Sequence, residues 1–299
     1  MIILPYFVIV LAIFVLGLIT GGLSNITSGG AGVLTIYVLT NFSGIVLQAA
    51  TGTVLAASAV FVLIGVVSFL RQGRVDIRLG VVVGLSGVAG AFLAARWAST
   101  VESSSLERIF GGFTLALAVY TSYLFISEWR RNKRGESATD SNISKISTGS
   151  KAKNLVQLAT TPSTSRFVGM SPAALSVQIT KGVLIGITTG LFGVGLASLS
   201  VVLFLLLFKL DTKVVLGTSL FASFFRYAGG SLGYLSAGQV NEFYFIVLVI
   251  GGGIGSIIGA RIVLGNGLGS RDILIKMVQV AILLFISYEF LIRYLIFGH

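Results

Sequence analysis

No charged side chain precedes Arg71 in this sequence. Several later windows of 18 or more residues are equally free of charge. A helix of about 20 apolar residues crosses a hydrocarbon core about 30 Å thick, so each of these stretches can span a membrane. Charged residues are only 10% of the chain, against about a quarter in a soluble domain. The sequence therefore predicts an all-α, multi-pass protein of the cell membrane, surrounded by the lipid bilayer.

Composition leaves little room for enzyme chemistry. The chain has no cysteine, and its single histidine is the last residue, His299. Zinc sites with several protein ligands and histidine acid–base catalysis therefore have almost nothing to draw on. The net charge of +11 is typical of cytoplasmic loops rich in Lys and Arg, and we do not interpret it as a nucleic-acid surface. We predict no enzyme activity, no cofactor and no nucleic-acid partner, and the sequence carries no indication of oligomeric state.

An internal repeat organises the chain. GTVLAAS at 52–58 matches GTSLFAS at 217–223, and the same offset of 165 in numbering pairs Ala95-Arg96 with Ala260-Arg261 without a gap. Such self-similarity indicates a tandem duplication. The segment 128–180 between the copies is basic and rich in Ser and Thr, which is typical of a solvated tether, although a phosphorylation or binding segment has the same composition. We predict a first transmembrane repeat at 1–127, a cytoplasmic linker at 128–180 and a second transmembrane repeat at 181–299.

Glycine-rich breaks interrupt the first apolar stretch of each half, SNITSGGAG at 24–32 and GLFGVG at 190–195. As one helix, the second stretch at 182–208 would be about 40 Å long, which exceeds one upright span but is too short for two. We expect a re-entrant hairpin with two arms of about 12 residues and the break at its tip, or else a single tilted helix with a glycine hinge. Three uninterrupted spans follow in each half, at 47–70, 77–97 and 106–127 and at 213–235, 243–263 and 273–297.

The hairpin interpretation also predicts orientation. A re-entrant segment returns the chain to the side it entered from, so each half makes three crossings and the second half is inverted. The loop RQGRVDIR at 71–78 has three arginines, whereas its counterpart SAGQVNE at 236–242 has none. Cytoplasmic loops carry the excess of Lys and Arg, so this difference favours two inverted repeats with both termini outside.

The breaks are the predicted substrate site. Helix N-termini expose N–H donors and carry partial positive charge, and glycine lets a ligand approach the backbone. Two tips converging near the midplane would therefore suit a small anion. The predicted binding residues are Asn25, Thr27, Ser28, Gly29 and Gly30 in the first tip, and Gly193 and Gly195 in the second. A second layer comprises the hydroxyls at the start of the next span in each half, Thr53, Ser58, Thr218, Ser219 and Ser223. Helix packing for the glycines and bonds to i−4 carbonyls for the hydroxyls are the alternatives.

Arg226 lies near the centre of the span 213–235, where a charge is costly and usually functional. As an anion ligand it would supply a planar fork of donors. The alternative partner is a carboxylate such as Glu289 in the last span, which could instead pair with Arg293 at i+4. We add Arg226 to the predicted substrate-binding residues.

These motifs resemble those of the sulfite exporter TauE/SafE family. The family has a glycine-rich interruption in the first segment of each half, a GTS-type opening to the next and an x-G-x-V-D loop before a glycine-rich third. Here they read TSGGAG and FGVG, GTVLAAS and GTSLFAS, and GRVD and GQVN. The resemblance implies a secondary transporter that exports sulfite, sulfoacetate or other organosulfonates. We expect alternating access around a midplane anion site. An anion channel and an uptake permease for a different small anion are the alternatives.

Overall fold

The computed structural model of the chain describes residues 3–27, 32–116, 119, 122–123, 172–193, 212–265 and 288. The longer described segments form eight helices and no strand: α1 Ile3–Thr27, α2 Gly32–Phe42, α3 Leu47–Arg71, α4 Ile77–Ala98, α5 at 103–116, α6 Pro172–Phe192, α7 Thr212–Leu235 and α8 Glu242–Leu264. Within these ranges the prediction of an all-α protein is confirmed.

Four helices are long and apolar enough to cross a membrane, namely α1 over Val8–Asn25 and the whole of α3, α4 and α8. Large apolar side chains such as Leu85, Leu93 and Ile246 are exposed on the outer faces of the bundle. Hydrocarbon takes the place of water around such faces, so their exposure is expected of a multi-pass membrane protein.

The predicted spans at 47–70, 77–97, 213–235 and 243–263 agree with α3, α4, α7 and α8 to within one residue at each end. In place of the start predicted at 106, helix α5 already begins at 103. The span predicted at 273–297 and most of the linker lie outside the described residues.

Helix α6 is longer than the predicted arm of about 12 residues. It has 21 residues and begins at Pro172, inside the range assigned to the linker. Proline is favoured at the first helical position because its missing N–H has no acceptor there. The helix therefore contains about three turns of mixed polar and apolar sequence before the predicted apolar stretch at 182–208.

The structure repeats with the same offset of 165 in numbering as the sequence. Helices α3 and α7 start at Leu47 and Thr212, and α4 and α8 start at Ile77 and Glu242. A capping side chain precedes each of the latter: that of Asp76 accepts from the N–H at position 79, and that of Asn241 accepts from the N–H at position 244. We call two positions that differ by 165 repeat mates.

The halves pack against each other reciprocally. Helix α1 lies along α8, and its repeat mate α6 lies along α4. A Cβ placed on Gly21 would overlap the carbonyl oxygen of Gly252, and one placed on Gly186 would overlap that of Gly87. The two contacts are equivalent, because Gly186 is the repeat mate of Gly21 and Gly252 is the repeat mate of Gly87. Small residues at such crossings let membrane helices approach until their backbones touch.

The contacts also give the helix directions. Gly52, near the start of α3, packs on Tyr234 near the end of α7, while Gly217 near the start of α7 packs on Phe69 near the end of α3. The repeat mates α3 and α7 therefore run antiparallel, and they cross near Phe61 and Arg226, midway between the two contacts.

Helices α1, α3 and α8 run in one common direction. Along α1 and α8, Gly17 packs on Leu248 and Gly22 packs on Gly259. Along α3 and α8, Phe61 contacts Gly252, and the Oγ of Ser256 lies beside Gly65. Helix α2 ends at Phe42, shortly before α3 starts at Leu47, so its end lies on the side where α3 begins.

Candidate functional site

Arg226 is completely buried at the middle of α7, with 0% of its surface exposed. Its Nη2 donates to the Oγ of Ser223 at 2.7 Å, and that hydroxyl donates to the carbonyl oxygen of Ser219 at 2.8 Å. Its Nε and Nη1 are buried and have no hydrogen-bond partner among the described residues. Arg226, Ser223 and Ser219 are the three predicted site residues that the structure joins in one chain of hydrogen bonds.

The aliphatic part of the Arg226 side chain packs where glycines let α4 and α6 approach each other closely. A Cβ on Gly87 would be 2.7 Å from its Cγ, 2.8 Å from its Cδ and 2.9 Å from the carbonyl oxygen of Gly182. The repeat mate of Arg226 is Phe61, whose ring packs in the same way on Gly252, the repeat mate of Gly87. A guanidinium thus occupies in one half the place that an aromatic ring fills in the other.

No carboxylate in the described part of the chain accepts a hydrogen bond from Arg226. Asp76, at the start of α4, instead uses its Oδ1 to cap that helix. Glu289, the acid considered as a partner from the sequence, lies outside the described residues. A buried cation without a counter-ion is expensive, and removing one partner from a buried pair costs about 3–5 kcal/mol. Within the described residues, Arg226 is therefore a buried cation without a carboxylate partner.

Asn25, which the sequence predicts to bind substrate, takes part in a hydrogen-bond network between helices. Its Nδ2 donates to the Oγ of Ser256 at 2.8 Å and to the carbonyl oxygens of Gly21 and Ser256 at 3.0 and 3.1 Å. The hydroxyl of Ser256 in turn donates to the carbonyl oxygen of Phe61 at 2.6 Å. Asn25 therefore ties α1 to α8 and, through Ser256, to α3, and its Oδ1 has no partner among the described residues.

Most of the first predicted tip lies outside the described residues. Ser28, Gly29 and Gly30 fall between α1 and α2, and Gly195 follows the described end of α6. Thr27 is the last residue of α1, and nothing is described of its side chain. Substrate binding by these five residues remains a prediction. For Thr27 the structure describes only the helical backbone.

Gly193 ends α6 in the left-handed conformation, with φ of 63°, which side chains with a Cβ rarely adopt. Its N–H donates to the carbonyl oxygen of Thr189 at 2.9 Å. A Cβ here would lie 2.8 Å from both Ile36 Cδ1 and Thr51 Cγ2, and one on Gly32 would lie 3.2 Å from the carbonyl oxygen of Gly193. The end of α6 thus meets the start of α2 and the first turn of α3.

The ends of α1 and α6 contact α3 near its two ends, not at its middle. Gly193 packs on Thr51, about 6 Å from the start of α3, whereas Asn25 lies beside Gly65, about 9 Å from its end. With 25 and 21 residues, α1 and α6 reach past the middle of α3, where arms half as long would stop. Residues 28–31, 194 and 195 of the two tips lie outside the described part of the chain, so the meeting of the tips near the midplane stays a prediction.

Thr53 and Thr218 hold the loops of the opposite half. The Oγ1 of Thr53 accepts from the N–H of Asn241 at 2.8 Å and donates to the carbonyl oxygen of Ala49 at 2.6 Å. The Oγ1 of Thr218 accepts from the N–H of Asp76 at 2.9 Å. Both hydroxyls therefore have partners within the protein, at opposite ends of the α3–α7 pair.

Ser58, the last residue of the predicted second layer, is the repeat mate of Ser223. It is buried in α3, with 4% of its surface exposed. Its repeat mate holds the guanidinium of Arg226, whereas the position one turn after Ser58 on α3 is Phe61, which offers no donor. The polar network therefore forms on α7 and has no equivalent at this level of α3.

Sequence reasoning passed over several buried polar groups. The Oγ1 atoms of Thr35 and Thr51 and the Oε1 of Gln178 are buried without a partner among the described residues. Ser256, which completes the Asn25 network, was also not singled out. A hydroxyl within an apolar helix ordinarily bonds the i−4 carbonyl, so the sequence alone does not distinguish these residues from ordinary ones. No cluster of His, Cys, Asp or Glu suited to a metal occurs among the described residues.

Comparison with known proteins supplies the family. The model of the sulfite exporter TauE/SafE family matches residues 13–289. The chain is 25% identical over 255 residues to "Probable membrane transporter protein YdhB" of Bacillus subtilis (strain 168), covering 85% of this chain and 88% of that protein. It is 27% identical over 259 residues to "Probable membrane transporter protein YunE" of the same organism, covering 83% and 86%. No solved structure matches the chain. The chain therefore belongs to the sulfite exporter TauE/SafE family of membrane transporters.

Proposed function

We propose that the protein is a secondary transporter that exports small sulfur-containing anions, sulfite or an organosulfonate, through an anion site at Arg226. The observation that carries this proposal is the burial of Arg226 with two donor nitrogens, Nε and Nη1, left without partners among the described residues. Family membership supports the class of substrate.

The chemistry of the site suits such an anion. Sulfite and sulfonate each present three oxygens on one sulfur, and these oxygens accept charge-assisted hydrogen bonds from guanidinium N–H groups. The third guanidinium nitrogen, Nη2, is held by the hydroxyl of Ser223, which fixes the orientation of the guanidinium. Export moves the anion down an interior-negative potential, which contributes about 2.3 kcal/mol per charge per 100 mV.

We further infer that the two halves form an inverted repeat. The repeat mates α3 and α7 run antiparallel and cross beside Phe61 and Arg226. This supports a pseudo-two-fold axis across the helices, as in transporters that alternate access by exchanging the conformations of two inverted halves. A site next to such an axis can open to either side of the membrane in turn.

The directions of the first helices support a re-entrant segment. Helix α1 runs parallel to α3, and α2 ends on the side where α3 begins. The chain thus returns to the side from which α1 started, and α3 makes the next crossing. With the basic linker in the cytoplasm, the starts of α1 and α3 lie on the external side.

The direct test is anion-induced thermal stabilisation of the purified protein. We expect sulfite or methanesulfonate to raise the melting temperature of the wild-type protein, and Arg226→Met to abolish that rise. Arg226→Phe is a second variant that should fold, because Phe61, the repeat mate of Arg226, packs on Gly252 as Arg226 packs on Gly87. Arg261→Gln, which removes an exposed charge near the end of α8, is the control. Anion stabilisation that persists in both folded Arg226 variants contradicts the proposed site.

Transport itself is tested in proteoliposomes. A carrier that alternates access gives saturable sulfite flux that is accelerated by unlabelled sulfite on the opposite side. A channel gives flux without such acceleration, and that result would contradict the alternating-access mechanism while leaving the anion site in place.

A further inference from the structure

We propose that Thr35, Thr51 and the start of α2 form a second anion station, separate from Arg226, on the external side of the membrane. This inference rests on the proposed transport function and names a second place where the same anion is held on its way out.

The first observation is a pair of orphan hydroxyls. Thr35 and Thr51 expose 2% and 1% of their surface, and neither Oγ1 has a partner among the described residues. A threonine inside a helix normally bonds the i−4 carbonyl, as Thr53 does with Ala49. A buried hydroxyl without a partner is unfavourable, so these two groups indicate an acceptor that the described part of the chain does not provide.

The second observation is that the two threonines lie on helices that meet at one point, Gly193 at the end of α6. Thr51 turns its side chain towards Gly193, with Cγ2 2.8 Å from where a Cβ would stand. Ile36 contacts the same place, and the start of α2 at Gly32 meets the carbonyl oxygen of Gly193. Thr35 is one helical turn after Gly32 and adjacent to Ile36, so it lies on the side of α2 that faces Gly193.

The start of α2 adds partial positive charge at this point. Helix α2 has 11 residues and begins at Gly32, and the first four N–H groups of an α-helix have no acceptor within it. Hydroxyl donors beside a helix N-terminus suit an oxyanion.

The station is too far from Arg226 to belong to the same site. Thr51 precedes Phe61 by about 15 Å along α3, and Phe61 lies at the level of Arg226. The guanidinium points towards Ser223, and because α7 is antiparallel to α3 this direction leads away from Thr51. An anion at Thr51 therefore cannot touch the guanidinium.

The hydroxyl of Thr51 is present in one half only. Its repeat mate is Leu216, a buried leucine without polar atoms in its side chain. Arg226 is likewise present in one half, opposite Phe61. Thr51 and Arg226 thus lie at different depths, and the station lies on the side where α1 and α3 begin, which the proposed topology makes external.

The test uses Thr35→Val/Thr51→Val in the full-length protein, with Thr20→Val as the matched control. Thr20 is equally buried, but its hydroxyl donates to the carbonyl oxygen of Leu16 at 2.8 Å. In proteoliposomes of known orientation, we expect the double variant to raise the half-saturating concentration of sulfite at least tenfold on the external side. Each lost hydrogen bond to a charged ligand is worth about tenfold or more. The internal half-saturation and the sulfite-induced thermal shift should stay within about twofold of wild type.

The outcomes separate this proposal from the proposed function. If wild-type protein neither binds nor transports sulfite, the function itself is wrong. If wild-type protein transports sulfite and the double variant matches it on both sides, the second station does not exist. Equal loss on both sides together with a reduced thermal shift would also overturn it, because the hydroxyls would then belong to the Arg226 site.

Discussion

Replacing Thr53 by valine should destabilise the protein and leave anion binding unchanged. The Oγ1 of Thr53 accepts from the N–H of Asn241 at 2.8 Å, across the boundary between the two halves. Valine has nearly the same shape but no acceptor, so the N–H that precedes α8 loses its partner. The perturbation removes one hydrogen bond and changes the packing very little.

The magnitude follows from burial and from the repeat. An unsatisfied buried donor costs about 1–3 kcal/mol, and Asn241 is only partly buried, so we expect about 1 kcal/mol for Thr53→Val. Thr218→Val should cost the same, because Thr218 accepts from the N–H of Asp76 at 2.9 Å in the equivalent place. Thr53 is near the start of α3 and Asp76 follows its end, so the two sites are independent and the double variant should lose about 2 kcal/mol.

Equilibrium unfolding in mixed micelles measures these differences, and sulfite-induced thermal stabilisation reports the anion site. Thr53→Ser is the control, since it keeps the hydroxyl acceptor and removes only a methyl group. The reasoning is refuted if Thr53→Val and Thr53→Ser are equally stable. Loss of sulfite stabilisation at unchanged stability would show instead that Thr53 is a substrate ligand, as the sequence pattern alone predicts.

Two further predictions concern the packing of the halves. Gly186→Ala should cost about 3 kcal/mol, at the upper end of overpacking costs, because the new Cβ would overlap a carbonyl oxygen of α4 and the helices must separate. It should also reduce the monodisperse yield on gel filtration. Gly112→Ala is its control, having no atom within 4 Å of the new Cβ, and should be neutral or stabilising by about 0.5–1 kcal/mol; equal loss in both variants would contradict the packing argument. Ser256→Ala should cost about 1–3 kcal/mol in equilibrium unfolding, because it breaks the bond from Asn25. In a double-mutant cycle with Asn25→Ala the two changes should be non-additive, and strict additivity would mean that the two side chains do not act together.

Much of the fold could be predicted because two features of the sequence agree, the apolar stretches and the internal repeat. The apolar stretches set the lengths of α3, α4, α7 and α8, and the offset of 165 set their correspondence. The start of α6 at Pro172 could not be predicted, because PAALSVQIT resembles the polar linker before it. The backbone hydrogen bonds of a helix do not depend on hydropathy, so a mixed sequence at its N-terminal end leaves no apolar signal.

The candidate site was predictable only in part. Arg226 was found because a charge inside a span is rare, and Ser223 and Ser219 lie one and two turns before it on the same side. Thr53 and Thr218 were expected to contact substrate, yet their hydroxyls accept from backbone N–H groups in the opposite half. Nothing local in the sequence shows which backbone group, 188 residues away in the case of Thr53, will come within reach.

The reciprocal packing of α1 on α8 and α6 on α4 has a consequence for biosynthesis. About 215 residues separate the end of α1 from the start of α8, and at ~5–20 residues per second the ribosome needs roughly 10–40 s to produce them. During that interval α1 is in the membrane without the glycine face it docks on. The nascent first half therefore needs a chaperone, an insertase or the lipid itself to shield that face, and variants that slow translation of the linker should increase its degradation.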